Sequence, residues 1–435
     1  MSTSTSDVAY VWVWLPGQTE PVPAGVLRRR GTRYVFQYGR RYLERPDAIS
    51  LYTPTLPLRP GWIEPPDDWV VAPNLRDAAP DAWGRRVILD RIAGDRGRDA
   101  DVDQLDELTY MLESGSNRIG GIDFQPTPTA YVARDDVAQL DELYDAATAL
   151  EEGRPLSDAL RRALESGTAI GGARPKAYLR DGGRELIAKF ASSTDVLPMV
   201  QAEAAAIVMA GAAGIDVPAA RVVRSRGRYA LVMDRFDRPE TGGRRIVISA
   251  MTMVGAGETL VPDGSYPDIL DALRSHGADG SAAEQLFRRI AFSIAITNTD
   301  DHLRNHAAFW DGRTLALTPA YDLSPSSRSG DSASLTLAYD RDGGRRADLA
   351  GLARAAHVYG LSTPRAREVI DEVVEAVHDS WPRAADHAEL TRAQQDRLWG
   401  TQFLHRSIFY DYGKHLVDHP DGPTVRIGIT SSHGS

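Results

Sequence analysis

The first part of the chain contains short stretches in which apolar and polar residues alternate, and this period of two predicts β-strands. Two such stretches are residues 8–15, which begin Val8-Ala-Tyr10, and residues 34–38. Proline and glycine punctuate them at Pro16-Gly17 and at Pro21-Val22-Pro23. We therefore predict a small β unit at the start of the chain.

After about residue 66 the apolar positions recur every three or four residues, which is typical of helices. This period predicts helices at 82–92, 102–112 and 199–213, and a polar helix at 137–164. A turn at Asp181-Gly182-Gly183 divides two apolar stretches and predicts a β-hairpin. Two further strands are predicted at 219–224 and 228–236, and the chain is mainly helical beyond residue 283.

This order of elements predicts an α+β fold of the bilobal protein-kinase type. The expected architecture is a β-rich N-terminal lobe with an added small β subdomain, followed by a mostly helical C-terminal lobe. We place the N-terminal subdomain, β-rich and then helical, at 1–120 and the kinase N-lobe, with its glycine loop and hinge, at 121–238. The helical C-lobe, with the catalytic and metal loops, takes 239–420, and 421–435 form a flexible tail.

Two polar loops in the helical half carry the most informative chemistry. Asp300 and Asn305 lie five positions apart after an apolar helix, and Asp322 follows Asn305 by seventeen positions. Protein kinases use a comparable spacing: one Asp orients the acceptor hydroxyl, and an Asn and a second Asp hold Mg²⁺. The loops therefore predict phosphoryl transfer from ATP with Mg²⁺ as the cofactor.

Two other interpretations of these loops remain open. An Asp such as Asp300 could simply cap the start of a helix, although this does not explain the spacing to Asn305 and Asp322. Asp301 and His302, with His306 four positions further, could instead indicate a metal-dependent hydrolase. That chemistry would require more His or Asp ligands than the neighbourhood supplies.

Lys189 lies inside an apolar strand, where a buried ammonium group is costly without an anion beside it. We predict that it contacts the phosphates of ATP, and Glu203 on the next helix could pair with it. The preceding loop contains Gly171 and Gly172 and ends at Lys176. It matches neither a Walker A motif nor a GxGxxG pattern, so it is informative only because it precedes Lys189.

The segment from Asp234 to Arg238 ends the strand block, where a kinase hinge would hold adenine. Asp234, Arg235 and Phe236 are the candidate residues, and a plain strand end is the alternative.

Composition limits the remaining possibilities. The net charge of −10 argues against a protein that coats DNA, and the basic cluster at 28–30 is typical of a solvated surface. The chain has no cysteine, which excludes disulfides and thiolate metal sites. It has no apolar run of about 18 residues and no signal-peptide pattern at its start. We expect a cytoplasmic protein that contacts no membrane and meets DNA only through a partner.

Taken together, these segments resemble the HipA family, the serine/threonine kinase toxins of bacterial type II toxin–antitoxin modules. Residues 34–58 look like the coupling subdomain of that family, so the resemblance covers nearly the whole chain. The remaining motifs match in chain order: Gly171-Gly-Ala-Arg-Pro-Lys176, Lys189, Asp234-Arg-Phe-Asp-Arg238, Thr299-Asp300-Asp-His302-Leu-Arg-Asn305 and Tyr321-Asp322.

The resemblance implies roles for individual residues. Asp300 would orient or deprotonate the acceptor hydroxyl, Asn305 and Asp322 would hold Mg²⁺, and Lys189 would contact phosphates. The implied nucleotide-binding set is Gly171, Gly172, Lys176, Lys189, Asp234, Arg235, Phe236, His302, Tyr321 and Asp322.

The resemblance also implies a target and a partner. The target would be an aminoacyl-tRNA synthetase, whose phosphorylation halts translation and causes growth arrest or persistence. The partner would be a small helix-turn-helix antitoxin, HipB-like, that binds operator DNA.

Two departures from the family pattern bear on regulation and target choice. Ala169 occupies the place where family members often carry an autophosphorylated Ser, which leaves Thr168 and Ser166 as candidates. Residues 248–251, Ile-Ser-Ala-Met, replace a more polar segment, so the peptide-binding surface is expected to differ.

A second hypothesis belongs to another functional class. It describes a catalytically weak pseudokinase that binds nucleotide and scaffolds the antitoxin on operator DNA. It predicts ATP binding without phosphoryl transfer, whereas the metal hydrolase predicts turnover without ATP.

Overall fold

The computed structural model describes residues 7–93, 101–102, 105–134, 176–191, 197–225, 228–257, 264–326 and 330–413. It is a mixed α/β structure with several sheets, and its chain contacts divide it into two compact units. The first unit comprises Met1–Thr194, Arg224–Glu258 and Ala307–Leu315; the second comprises Asp195–Val223, Thr259–His306 and Ala316–Ser435.

The first unit begins with a four-stranded antiparallel sheet, which confirms the β unit predicted at the start of the chain. Its strands lie in the order β3-β2-β1-β4. They are β1 (Val8–Val13), β2 (Val22–Arg30), β3 (Arg33–Tyr38) and β4 (Ile122–Gln125). β4 begins just past the boundary predicted at residue 120, and its pairing with β1 places it in this sheet.

The interpretation of residues 21–23 as punctuation alone was wrong, because Val22 and Pro23 begin β2. The register between β1 and β2 shifts between Val11 and Trp12, which pair with Gly25 and Pro23. Proline cannot donate to a ladder and is tolerated at such bulges.

The first unit also contains helices, a hairpin and a short antiparallel pair, and four of its described helices precede the hairpin. These four helices are α1 (Arg40–Leu43), α2 (Pro73–Arg76), α3 (Ala82–Ala93) and α4 (Glu107–Glu113). The helix predicted at 82–92 is confirmed, and the one predicted at 102–112 is observed as α4. The Asp106 side chain caps α4 by accepting a hydrogen bond from the Thr109 amide, as expected for Asp at this position.

The hairpin consists of β5 (Lys176–Asp181) and β6 (Arg184–Phe190), and β8 (Arg228–Asp234) pairs with β6 on its other side. Gly182 and Gly183 form the predicted turn, and both have positive φ, as a two-residue type I′ turn requires. β9 (Ile246–Ser249) pairs with β10 (Ala307–Trp310).

The division between the units falls inside two strands, β7 (Ala220–Ser225) and β11 (Leu315–Leu317). β7 and β8 confirm the strands predicted at 219–224 and 228–236. The short helix α6 (Ala250–Val254) also belongs to the first unit.

The second unit is mostly helical. Its α-helices are α5 (Met199–Ala212), α7 (Tyr266–Ser275), α8 (Ser281–Ala295), α9 (Leu349–Arg354), α10 (Thr363–His387) and α11 (Arg392–Leu398). Its 3₁₀ turns are Leu303–Asn305, Ala355–Tyr359 and Arg406–Phe409. α5 confirms the helix predicted at 199–213.

Sequence explains where several of these helices begin. The side chains of Ser265, Asp348, Ser362 and Thr391 each accept a backbone amide hydrogen bond at a helix start. α8 buries Phe287, Ile290 and Ile294, which recur at helical spacing and form its inner face. Because this face is packed in the core, the end of α8 is fixed, and the loop that carries Asp300 begins there.

Within the described residues, no helix is both long and apolar enough to cross a membrane. The polar helix predicted at 137–164 and the tail predicted at 421–435 lie outside the described residues.

Gly25 offers a test of the N-terminal sheet. A Cβ at this position would lie 2.3 Å from the Gln37 carbonyl oxygen and 2.6 Å from the Phe36 ring. We expect Gly25→Ala to destabilise the protein by about 1–3 kcal/mol through overpacking, measured by thermal and denaturant unfolding. Gly39→Ala is the control, since its Cβ would meet only the Ala24 carbonyl at 3.7 Å. Equal stability of the two variants would contradict this account of the sheet.

Candidate active site

In the second unit, the loop after α8 places two neighbouring aspartates in opposite environments. Asp300 is exposed, whereas Asp301 is only 4% exposed. The buried Asn305 side chain ends the turn Leu303–Asn305, and its Nδ2 donates to the Asp300 carbonyl oxygen at 3.3 Å. The amide is therefore oriented by its nitrogen, which leaves its oxygen as the atom that could ligate a metal.

Asp301 holds this loop in place through a buried hydrogen-bond network. Its carboxylate accepts from Tyr266 Oη at 2.6 Å, Ser293 Oγ at 3.1 Å and His306 Nε2 at 2.8 Å. Burial alone would raise the pKa of Asp301, but the interaction with His306 and these hydrogen bonds outweigh it and hold the pKa below its ordinary value. Because an ionised carboxylate only accepts, His306 must carry its proton on Nε2.

The same unit holds the Asp322 segment against this loop at several points. Tyr321 Oη donates to the Arg304 carbonyl at 2.8 Å, and the Ser326 amide donates to the Thr297 carbonyl at 2.9 Å. Buried Arg289, on α8, donates from a terminal guanidinium nitrogen to the Thr318 carbonyl at 2.6 Å. The two loops predicted from their spacing are thus neighbours fixed by direct hydrogen bonds.

Backbone strain is found in both loops. Thr297 has φ of 55° and Asp322 has φ of 58°. A β-branched residue at positive φ is a genuine outlier, and such strain tends to collect at functional sites. Buried polar atoms without a hydrogen-bond partner in the described structure also gather here: Arg289 Nε, Thr297 Oγ1, Asn298 Nδ2, His302 Nδ1 and His306 Nδ1. Each is a site where a bound molecule or water would gain a contact.

The donor set fits Mg²⁺ better than a transition metal. Asn305 offers an amide oxygen and half-exposed Asp322 a carboxylate, and Mg²⁺ takes one or two such protein oxygens beside substrate phosphates. No group of three His, Cys, Asp or Glu residues suited to a metal occurs in the described part of the chain. The oxygens of Asp301 are already engaged by neighbouring side chains, so the hydrolase interpretation gains no support.

In the first unit, Lys176 and Lys189 face each other across the β5–β6 hairpin. They are register partners, and they are only 8% and 7% exposed. Like charges directly opposite each other repel, and a buried ammonium group favours an anion nearby. This arrangement suits the phosphate contact predicted for Lys189 and the nucleotide contact predicted for Lys176.

The segment at the end of β8 alternates in burial. Asp234 and Phe236 are half-exposed, whereas Arg235 and Asp237 are buried. Asp234 forms an ion pair with Arg184 at 3.3 Å, and the Phe236 ring meets the Phe309 ring edge-on at 5.9 Å.

The side chain of Arg235 makes its hydrogen bonds within the protein. Its Nε and a terminal nitrogen donate to Asp237 at 3.0 and 2.7 Å. Its terminal nitrogens also donate to Asn117 and to the Arg118 carbonyl. Any contact with nucleotide must therefore come from its backbone.

Comparison with known proteins gives these observations a family context. A family model described as the HipA N-terminal domain matches residues 13–125, and one described as the HipA-like C-terminal domain matches residues 168–381. The chain belongs to the HipA family. The two matched regions together account for most of its length.

The chain is also similar to individual proteins. Y4dM of Sinorhizobium fredii (strain NBRC 101917 / NGR234), described by inference as a kinase, is 28% identical over 316 residues, covering 67% of this chain and 71% of that protein. A solved complex of Shewanella oneidensis MR-1 HipA with HipB and operator DNA matches with a TM-score of 0.61 at 16% identity. That match covers 92% of this chain and 99% of the other, so the two share a fold. The Helicobacter pylori kinase CtkA reaches a TM-score of only 0.36, at 12% identity, covering 52% of this chain and 93% of CtkA, too low to define a common fold.

The structure does not test every residue predicted for this site. Gly171 and Gly172 of the glycine loop and the candidate autophosphorylation residues Thr168 and Ser166 lie outside the described residues. Glu203 is buried on α5, and its pairing with Lys189 stays a prediction.

Sequence inspection missed the residues that hold the loops. Asp301 and His306 were weighed only as metal ligands, whereas they form the anchor beneath Asp300. Asn117 and Gly120, which contact the Arg235 cluster, lie in a polar segment that carried no motif. The available signal was the pair of arginines in Asp234–Arg238, which require hydrogen-bond acceptors from elsewhere in the chain if they are buried.

The different roles of Asp300 and Asp301 can be tested by comparing the thermal stability of variants at each position. Asp301→Asn removes a buried charge that faces His306 and Arg289, so we expect a loss of about 3 kcal/mol and a lower Tm. Asp300→Asn should leave Tm unchanged, because Asp300 is exposed. Circular dichroism melts of both variants provide the measurement, and similar Tm values would disprove the anchoring role.

Proposed function

We propose that this protein is a HipA-like toxin that acts as an ATP- and Mg²⁺-dependent serine/threonine protein kinase on a bilobal kinase-like fold. The observation that carries the proposal is the pair of hydrogen-bonded loops in the second unit. They present an exposed Asp300, an oriented Asn305 amide and a strained Asp322. These are the residue types that phosphoryl transfer to a hydroxyl group needs.

Each residue takes one part of the chemistry. Asp300 accepts a hydrogen bond from the acceptor Ser or Thr hydroxyl and orients its oxygen towards the γ-phosphate. It takes the hydroxyl proton as the new P–O bond forms and the bond from the γ-phosphorus to the bridging oxygen of ADP breaks, which releases ADP. Asn305 and Asp322 hold Mg²⁺, which when bound neutralises charge on the phosphate oxygens. Exposure suits Asp300 for this task because a protein substrate must reach it.

The first unit contributes nucleotide binding. Lys176 and Lys189 contact phosphate oxygens, because the triphosphate brings negative charge to two ammonium groups that are register partners on neighbouring strands. Asp234 and Phe236 hold adenine, the latter through its half-exposed aromatic face. The Arg235 amide already donates to the Glu185 carbonyl at 3.0 Å, so the hinge hydrogen bond of this residue is accepted by its carbonyl oxygen, which has a second lone pair.

The remaining predicted residues shape the site. His302 is half-buried with an unpartnered Nδ1, which gives it a hydrogen bond to offer the nucleotide. Tyr321 acts mainly through its hydrogen bond to the Arg304 carbonyl, which fixes the segment that carries Asp322.

Family membership supports the biological part of the proposal. The Shewanella oneidensis HipA structure is a complex with HipB and operator DNA. We propose that this chain likewise binds a HipB-like helix-turn-helix antitoxin and meets DNA through it, within the cytoplasm. Its proposed target is an aminoacyl-tRNA synthetase, whose phosphorylation stops translation and arrests growth.

Removing either acidic side chain tests the chemistry. We expect Asp300→Ala, which removes the general base, to reduce phosphate transfer from labelled ATP by at least about 10²-fold. Asp322→Ala, which removes the charged Mg²⁺ ligand, should reduce it at least as strongly. Both variants should relieve growth arrest on induced expression, and phosphoproteomics of wild type against Asp322→Ala should identify the target.

Asp342→Ala is the control for that experiment, because Asp342 is an exposed aspartate of the same unit. It should transfer phosphate and arrest growth as the wild type does. Arrest that persists in both site variants would refute a kinase toxin, and ATP binding without transfer by the wild type would favour the pseudokinase scaffold.

Metal dependence gives a separate test. A ligand at a hundred times its Kd stabilises the folded state by about 2.7 kcal/mol, so Mg²⁺ with a non-hydrolysable ATP analogue should raise Tm. Chelation of Mg²⁺ by EDTA should reduce that rise in Tm. In Asp322→Ala, adding Mg²⁺ to the analogue should give no further increase in Tm. A Tm rise in Asp322→Ala that responds to Mg²⁺ as the wild type does would remove Asp322 from the metal site.

A further inference from the structure

The turn at the end of β8 is fastened to a loop that lies more than a hundred residues earlier in the chain. Arg235 and Arg238 both donate to the side-chain oxygen of Asn117, at 2.5 and 3.0 Å. Both also donate to the Arg118 carbonyl, at 2.6 and 2.7 Å. Asn117 therefore joins two buried cations through one neutral oxygen atom.

Asp237 completes this cluster from the same turn. Its carboxylate accepts from Arg235, from Arg238 at 2.7 Å and from the Gly120 amide at 2.7 Å. Burial would raise the pKa of Asp237, but the two guanidinium groups outweigh it and lower the pKa strongly, so this carboxylate stays charged. Glu185 on β6 binds Arg238 Nε at 2.8 Å, which ties the cluster to the lysine hairpin.

The loop that receives these bonds is itself anchored in the N-terminal sheet. Arg118 is fully buried and pairs with Asp123 of β4 at 2.6 Å, and it donates to the Ala78 carbonyl at 2.9 Å. Gly120 and Gly121 pack closely on β9: a Cβ at Gly121 would lie 3.2 Å from the Ile246 side chain. A stable sheet thus determines where the turn lies.

The geometry of this turn bears directly on its half-exposed residues. Arg235 and Asp237 are buried in the cluster, and Asp234 and Phe236 adjoin them in sequence. A shift of the turn would therefore move the side chains assigned to adenine. Burying several charges in this cluster costs desolvation free energy. The cluster holds the turn in one backbone geometry only while every buried guanidinium group has its hydrogen-bond acceptors.

We propose that Asn117 is a positioning residue for nucleotide binding, which rests on the proposed contact of Asp234 and Phe236 with adenine. Through its Oδ1 it fixes the two arginines of the turn, and the N-terminal domain thereby determines the affinity of the kinase for ATP. Asn117 itself touches no nucleotide.

The test compares Asn117→Ala with a matched control, Asn74→Ala. Both asparagines are buried, since Asn74 is 1% exposed and Asn117 is 4% exposed. The side-chain oxygen of Asn74 accepts a hydrogen bond from the Thr55 hydroxyl, within the N-terminal region. Calorimetric titration with Mg²⁺ and a non-hydrolysable ATP analogue should give a Kd raised about tenfold in Asn117→Ala, equivalent to about 1.4 kcal/mol. Asn74→Ala should stay within about twofold of the wild type while losing comparable thermal stability.

Kinetics and a conservative variant distinguish positioning from general destabilisation. Asn117→Ala should raise KM for ATP but leave kcat nearly unchanged, because Asp300 and Asn305 are untouched. Asn117→Asp keeps an acceptor oxygen for both arginines and should restore wild-type affinity. If Asn117→Ala does not fold, Asn117→Ser replaces it in the same comparison.

The outcomes are distinct from those of the proposed function. A wild type that binds no nucleotide contradicts the proposed function itself. A wild type that binds, with Asn117→Ala and Asn74→Ala equally affected or Asn117→Asp not restored, overturns the positioning role alone.

Discussion

A carboxylate that is taken out of water must be surrounded by hydrogen-bond donors or cations, and the loop that carries Asp300 depends on this constraint. Asp301 meets it with Tyr266, Ser293 and His306, which come from α7, α8 and the end of the loop. Three separate parts of the chain are thereby fixed to one point directly beneath exposed Asp300. Because the pKa of Asp301 is lowered, this stabilisation is present at neutral pH. It would be lost only as the pH falls below about 3.9, the ordinary value for Asp.

The first unit uses the same principle on a different segment. Asp237 is buried and charged, and it is matched by Arg235, Arg238 and the Gly120 amide. Breaking a buried pair by removing one partner costs about 3–5 kcal/mol, although the intact pair adds little net stability. Such clusters therefore contribute geometry more than stability. In both units a buried, charged carboxylate adjoins a more exposed residue that we assign to function: Asp301 adjoins Asp300, and Asp237 adjoins Phe236.

Local patterns allowed much of the fold to be predicted from the sequence. The Gly182-Gly183 turn and the helical period of 199–213 depend on nearby residues alone, and the structure shows both. The spacing of Asp300, Asn305 and Asp322 also identified two loops that prove to be neighbours. Prolines at 21 and 23 misled the assignment of β2, because a bulge opposite Trp12 removes the penalty that proline normally brings.

The anchors could not be predicted, for a physical reason. Asn117 meets Arg235 across 118 positions, and no periodicity connects residues so far apart. The sequence also could not show that Asp301 is buried while adjacent Asp300 is exposed, since a loop has no regular face that would decide which carboxylate points inward. Their roles follow from what surrounds each one. The carboxylate that we propose acts on a protein substrate must remain open to it, whereas the residue that holds its loop in place must be closed to solvent. The loop satisfies both demands within two consecutive residues.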